Sequence, residues 1–397
     1  MKHEIFTARR LLLVEPSITL VITGEALARR EAGDDIMILS AGEPDFITPK
    51  YIRDYAIEAI ERGFTHYTET AGILPLRELI VKKFKEDNGL DYTPSNIIVS
   101  TGAKQSIFNV MESILDDNDE VIIPSPYWVS YPEIVHLAGG KPVIVDTEED
   151  GFILTAEKLK KNISNRTKAI ILNTPNNPTG MVYYKDTLEE LADVIVENDL
   201  LCISDEIYEK VLYDGKKHYS IAALGEDIKN NTVVINGFSK SYAMTGWRIG
   251  YAAGPEFIIK NCLKLQGHST SCPSSIGQAA AYAALKNKNE EFDNMLATFD
   301  KRRRYIMEKL DQLEGISYIR PEGAFYFFIN ISNFYGHKGV NDSLSFCNYL
   351  LKNGNVAVTP GKAFGMDDYI RISYAVSTAE IERAMEKFKK VLEMLVE

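Results

Sequence analysis

Six short runs in this chain are apolar at nearly every position: Ile97-Ile98-Val99, Val121-Ile122-Ile123, Val143-Ile144-Val145, Ala169 to Leu172, Leu200 to Ile203 and Val233 to Ile235. A strand with one wet face alternates apolar and polar residues, whereas an unbroken apolar run belongs to a strand covered on both faces. Between most of these runs lie stretches of helical periodicity, at Gln105 to Leu115, Trp128 to Ala138, Thr155 to Asn162 and Lys185 to Asn198. Such alternation predicts an α/β fold, with a mainly parallel sheet of about seven strands between helices. A further apolar run, Trp247 to Ala253, reads as an antiparallel addition.

The flanks have a different rhythm. Upstream, Val21 to Ala32 reads as an amphipathic helix, and a short strand (Ile36 to Leu39) leads into a turn-rich loop ending at Asp45. Helices are expected at Pro49 to Arg62 and Leu74 to Asn88. After Pro255, helical patterns (Ala279 to Lys286, Glu290 to Leu313, Asp342 to Lys352, Thr378 to Val396) mix with strand signals at Ala324 to Ile329, Val356 to Thr359 and Tyr369 to Tyr374. This predicts a smaller α+β domain over 295–397, a large domain over 49–294, and an N-terminal segment, 1–48, that packs with the small domain.

A formal net charge of −12 argues against a nucleic-acid partner, which demands a basic face. The four cysteines, Cys202, Cys262, Cys272 and Cys347, show no C-x-x-C pairing and no metal-ligand spacing with the six histidines, so no metal is expected and a reducing compartment is. The start of the chain is charged (Lys2, His3, Glu4, Arg9, Arg10), its longest apolar run is Leu11 to Val14, and it does not read as a signal peptide. Nothing approaches the ~20 apolar residues of a membrane span. A cytoplasmic protein is the expectation.

Ligands of open α/β sheets gather at the carboxyl ends of the strands. The first run releases Thr101-Gly102-Ala103-Lys104 into a helix, where backbone N–H groups can face an anion. The second releases Pro124-Ser125-Pro126-Tyr127-Trp128, and an aromatic there can stack on a planar ring. The run ending at Leu172 releases Asn173-Thr174-Pro175-Asn176-Asn177-Pro178, in which Asn177–Pro178, like Ser125–Pro126, is a candidate cis bond. Ser204-Asp205-Glu206-Ile207-Tyr208 places a carboxylate directly after a buried strand, where it needs a cation. Finally, Val233 to Asn236 leads to Lys240, a lysine costly to bury unless neutral or partnered. A Schiff base to an aldehyde cofactor resolves that cost. Together these strand ends supply what a pyridoxal phosphate site requires: ring-nitrogen carboxylate, amide and phenol for the ring oxygen, stacking aromatic, phosphate binders and a lysine.

With SAGEPDF, HYTETAGILPLRE, PSPYWVSYPE, NTPNNPTG, SDEIY, SKSYAMTGWRIGYA and EGAFY occurring in that order, the chain resembles the class I/II aminotransferases of pyridoxal-phosphate fold type I, in particular the bacterial and archaeal aspartate aminotransferase subgroup. The resemblance implies that Lys240 is the Schiff-base lysine, Asp205 the pyridinium partner, and Tyr208 and Asn177 the partners of the ring oxygen. It implies Trp128 as the stacking aromatic and Ser239, Arg248, Gly102, Ala103 and Lys104 as phosphate-side positions, Ala103 through its backbone. Arg371 matches the arginine that grips the substrate α-carboxylate, a bidentate fit that lysine does not reproduce, and Gly42 touches that same group. Tyr67 matches a tyrosine reaching the phosphate of a neighbouring subunit, which implies a homodimer with shared active sites.

The implied reaction moves an amino group from an L-amino acid, aspartate first, to 2-oxoglutarate by a ping-pong mechanism, with Lys240 as the proton carrier. Aromatic or alanine-type donors, and C–S β-elimination on the same fold, are the alternatives. No motif marks a cation for a distal carboxylate. Some relatives that handle dicarboxylates place a basic residue before the Pro-Ser of the N-terminal segment; this chain has Glu15 before Pro16-Ser17, which points away from prephenate and, to a lesser degree, from aspartate.

Overall fold

The computed structural model describes residues 7–288 and 290–397. Lys2, His3 and Glu4, invoked above for the charged start, lie outside the described residues. In chain order the strands are β1 (Met37–Ile38), β2 (Ile97–Ser100), β3 (Glu120–Ser125), β4 (Lys141–Asp146), β5 (Thr167–Asn173), β6 (Leu201–Asp205), β7 (Thr232–Gly237) and β8 (Gly250–Ala253). They continue with β9 (Ser317–Tyr318), β10 (Tyr326–Asn330), β11 (Val356–Ala357), β12 (Thr359–Pro360) and β13 (Tyr369–Ser373).

The expected seven-stranded sheet forms, in the order β2-β8-β7-β6-β5-β3-β4. Strands β7, β6, β5, β3 and β4 run parallel, while β8 lies antiparallel to both β2 and β7. The antiparallel member is therefore internal, and its pairing needs close approach: a Cβ on Gly250 would stand 2.1 Å from the Ala103 nitrogen. Ile98, Val99, Val121, Ile122, Ile123, Val233, Val234 and Ile235 are fully buried. Each such side chain contributes about 1.5–3 kcal/mol of burial. The run in β4 departs from that pattern. At the sheet edge only one face is covered, and Ile144 is 42% exposed.

Several elements escaped or broke the sequence pattern, among them β9 and helix Glu226–Asn230. A helix at Glu256–Ser269 follows Pro255, burying Ile258, Ile259, Cys262 and Gln266 at helical spacing. The Val356 to Thr359 signal divides into two strands of different sheets: β11 pairs parallel with β1, while β12 joins the four-stranded sheet β12-β13-β10-β9. The β1–β11 pair, with Ile22 and Ala26 of helix Ile18–Glu31 packed beside Leu351 and Ala357, fastens the N-terminal segment to the C-terminal part of the chain. Helix Glu290–Leu310 runs through the expected boundary at 294/295.

Candidate active site

The carboxyl ends of β2, β5, β6 and β7 open into one cavity of about 420 Å³, closed on the other side by the N-terminal segment and by Tyr326 and Arg371 from the small sheet. Among the described residues its charged lining comprises four cations, Lys104, Lys240, Arg248 and Arg371, and two carboxylates, Glu43 and Asp205. A chain of formal charge −12 thus builds a locally positive cleft, the setting for an anionic ligand.

Asp205 ends β6 and is 4% exposed. Its Oδ2 accepts from the Tyr131 hydroxyl (2.7 Å) and its Oδ1 from the Ile207 N–H (3.2 Å). No cation pairs with it among the described residues. Burial pushes its pKa up to about 6, with both hydrogen bonds opposing. Beside it, Asn173 Nδ2 donates to the Asp205 carbonyl (3.0 Å), while Asn173 Oδ1 accepts the Asn177 N–H (2.8 Å). The Asn-rich loop is thereby held against β6. Its cis bond lies at Thr174–Pro175, so the expectation for Asn177–Pro178 is corrected, while Ser125–Pro126 is cis as anticipated.

Lys240 lies in the turn after β7. Its Nζ donates to the Gly42 carbonyl (2.6 Å) and stands 5.6 Å from the Tyr208 ring centroid. Burial, with Arg371 and Arg248 nearby, brings its pKa down to about 8 against the opposing charge of Glu43. At neutral to mildly alkaline pH a usable fraction of this amine is an unprotonated nucleophile. The buried Tyr208 hydroxyl shares a hydrogen bond with Tyr326 (2.7 Å).

Arg371, 3% exposed in β13, donates through Nη1 to Asn177 Oδ1 (2.9 Å) and through Nη2 to the Ser40 carbonyl (2.7 Å). The Tyr326 and Phe364 rings lie 4.5 and 4.9 Å from its guanidinium. Its Nε has no acceptor, and no carboxylate pairs with it among the described residues. A buried guanidinium with spare donors is an incomplete carboxylate site.

Gly102, at φ 84°, precedes helix Ala103–Ile114, and a Cβ there would stand 2.3 Å from Arg248 Nη2. The free N–H groups of that helix start and the guanidinium therefore share one concave corner. Ser239 and Ala103 line the same cavity. Lys104 turns its ammonium toward Trp128, 4.8 Å from the indole centroid, and burial followed by the Arg248 charge lowers its pKa. Such an arrangement fits pyridoxal 5′-phosphate. It offers a buried carboxylate lacking a cation, an amine of lowered pKa, an aromatic face, and a glycine cradle a side chain would fill.

Among the expected site residues, Gly102 is outside the cavity lining but abuts Arg248, which lines it, while Tyr67 stands apart, 90% exposed and outside the cavity. Glu15, which bore on the substrate, is exposed and also outside, its backbone N–H donating to Glu133. Tyr131, Tyr326, Glu43, Thr245 and the Thr19 hydroxyl were not singled out from sequence. The first four sit inside recognised motifs, but no strand end pointed to them. Behind Asp205, Glu206, Glu209 and His218 come close enough to suggest a metal site, yet they are already engaged. Ser204, Ser220 and His218 hold Glu206 (2.9, 2.6 and 2.9 Å). Against its burial, Lys83 and His218 hold Glu209 down to about 2.

Fold and cleft define an α/β enzyme in which an amine of lowered pKa and a buried arginine with an unpaired Nε face one cavity. The chain belongs to the family described as aminotransferase class I and II, whose model matches residues 34–388. It is 48% identical over 387 residues to the aspartate aminotransferase of Bacillus subtilis, covering 97% of this chain and 98% of that one. The crystal structure of the aspartate aminotransferase from Rhizobium meliloti superposes with a TM-score of 0.94 at 42% identity, covering 98% and 99% of the two chains. That of Thermus thermophilus aspartate aminotransferase with maleate gives 0.91 at 42%, covering 97% and 99%.

Proposed function

We propose that this chain is a pyridoxal 5′-phosphate-dependent aminotransferase that takes the amino group of aspartate and delivers it to 2-oxoglutarate in two half-reactions, as a cytoplasmic homodimer. The observation that carries the reading is the set of charges in one cavity left unmet among the described residues: Asp205 without a cation, Arg371 without an anion, and Lys240 with a lowered pKa. The cofactor, once bound, supplies an aldehyde for amino groups and a protonated ring that withdraws electrons from the substrate Cα.

Asp205 keeps the ring nitrogen protonated, and Tyr131 keeps Asp205 ionised. Tyr208 and Asn177 hold the ring oxygen, and Trp128 covers one ring face. Gly102, Ala103 and Lys104 through their backbone, with Ser239 and Arg248, hold the phosphate, joined by Tyr67 from a second copy. Arg371 grips the substrate α-carboxylate beside Gly42. Lys240 would remove the Cα proton and then, as an acid, deliver it to the cofactor carbon that carried the aldehyde.

For the substrate side chain, the charge count supports a choice. With Arg248 on the phosphate and Arg371 on the α-carboxylate, the Lys104 ammonium over Trp128 remains for a second carboxylate. This favours four- and five-carbon dicarboxylates, in keeping with the names of the relatives and with the maleate complex. The division into 1–48, 49–294 and 295–397 belongs to the same reading, and the β1–β11 pairing supports grouping the first part with the third.

The test is a half-reaction panel followed by cofactor absorbance, with aspartate, glutamate, alanine, tyrosine and a cysteine conjugate. Aspartate and glutamate are expected to convert the cofactor fastest, and 2-oxoglutarate to restore it. Pyruvate release from the conjugate without any 2-oxo acid acceptor would instead establish a lyase. Lys240→Ala is expected to lose turnover by orders of magnitude, and near-normal turnover would sink the assignment.

A further inference from the structure

The loop after β1 touches two of the four cations of the cleft. Arg371 Nη2 donates to Ser40 O (2.7 Å), and Lys240 Nζ donates to Gly42 O (2.6 Å). The loop is fastened further on: Asp45 accepts two hydrogen bonds from Arg302 (2.7 and 2.8 Å), and Thr48 Oγ1 donates to the Ala243 carbonyl (2.7 Å). Between these anchors lies Glu43. Its Oε2 accepts from Thr245 Oγ1 (2.8 Å), which ties the carboxylate to the same turn that carries Lys240, at the wall of the cavity.

We propose that Glu43 is a positioning residue for Lys240, a carboxylate fixed by Thr245 that lets the lysine amine keep a proton beside two guanidiniums. Each element facing that amine brings a group to the balance. The end of β6 brings Asp205, the segment after it the Tyr208 ring, β13 Arg371, the turn after β7 Arg248, and the loop after β1 Glu43. Burial and both arginines disfavour an ammonium, and Asp205 is engaged with the ring nitrogen when the cofactor is bound. Glu43 is the remaining counter-charge, and it is the largest one opposing the downward shift. A proton carrier serves as both base and acid only if its pKa stays near the working pH. Without Glu43 the amine would remain a competent base but a poor acid.

This inference rests on Lys240 being the proton carrier, and the two fail differently. The full-length cofactor-free chain is labelled competitively with acetic anhydride across neutral and alkaline pH, and the Lys240 peptide is quantified by mass spectrometry. The native midpoint is expected near 8. Glu43→Gln keeps an acceptor for Thr245 but removes the charge, and should lower the midpoint by about half a unit to one unit. Thr245→Val leaves the exposed charge but removes the hydroxyl that fixes it, and should lower the midpoint less. Glu58→Gln, an exposed glutamate on helix Lys50–Glu61, should leave it unchanged. If Glu43→Gln does not fold, Thr245→Val carries the test. A midpoint that stays at the native value in the folded variant overturns the role of Glu43 alone. A native midpoint at an ordinary lysine value overturns the reading of Lys240 itself.

Discussion

The Tyr131 hydroxyl donates to Asp205 Oδ2 at 2.7 Å, and it is the one side chain that holds this buried carboxylate among the described residues. One neutral donor and one backbone N–H do not offset the burial of a charge, and the Asp205 pKa stays up, at about 6. The cleft thus keeps a carboxylate at a free-energy cost that a cationic ring nitrogen removes. Between about pH 4 and 6 the folded cofactor-free chain holds a proton on Asp205 that the unfolded chain has released, so stability falls as pH rises through that window. Asp205→Asn should therefore stabilise the cofactor-free chain at neutral pH by roughly 2 kcal/mol, and remove that pH dependence. The same variant should lose activity by orders of magnitude. Denaturant unfolding at pH 4 and pH 7 with parallel assays checks both; equal stability of the two chains at pH 7 would refute the account.

Arg371 is held by Asn177, by the Ser40 carbonyl and by the Tyr326 and Phe364 rings, and its Nε has no acceptor among the described residues. Arg371→Lys keeps the charge and loses the planar fork and the stacking. The expected outcome is a KM for the amino acid raised about a hundredfold or more, equivalent to ~3 kcal/mol. Cofactor absorbance should be unchanged, as the proposed assignment of Arg371 to the substrate and not the cofactor requires. Steady-state kinetics beside an absorbance titration separate these effects.

Lys104→Met should act on the substrate side chain. The methionine retains contact with the indole of Trp128 and removes the ammonium now 4.8 Å from it. The ratio of kcat/KM for aspartate to that for alanine is expected to fall by about tenfold to a hundredfold, as for loss of one charge-assisted hydrogen bond. A fall of equal size for both donors would place Lys104 on the phosphate side alone.

The sheet and the residues at its strand ends were legible because two local rules coincide. Unbroken apolar runs announce strands covered on both faces, and polar residues directly after them announce a ligand edge. Asp205, Lys240 and Gly102 follow from that logic. Tyr131 and Glu43 do not, because their roles depend on where a helix start and a loop from a distant part of the chain come to rest. The same holds for β8, whose place between β2 and β7 depends on Gly250 passing the Ala103 backbone. Helix Glu256–Ser269 was legible in principle, since Ile258, Ile259 and Cys262 share its buried face after a proline. The short β11 and β12 were not, as two-residue strands leave no period to read.

Tyr67, 90% exposed, reaches nothing in its own cavity. Its neighbourhood carries further exposed apolar surface, with Ile57, Ile60 and Phe64 at 53%, 55% and 37% exposure, as expected of a face covered by another copy. If Tyr67 serves only the partner's phosphate site, two separately damaged chains should complement. Tyr67→Ala spoils the partner's site and Lys240→Ala spoils its own. In a mixed dimer, the site with an intact Lys240 receives an intact Tyr67 from the Lys240→Ala chain, and it should regain native cofactor affinity. Mixing the variants after mild dissociation, then titrating cofactor against activity, should reveal a class of tight, active sites absent from either parent. Additive behaviour, with no such class, would mean that Tyr67 acts within its own chain or not at all.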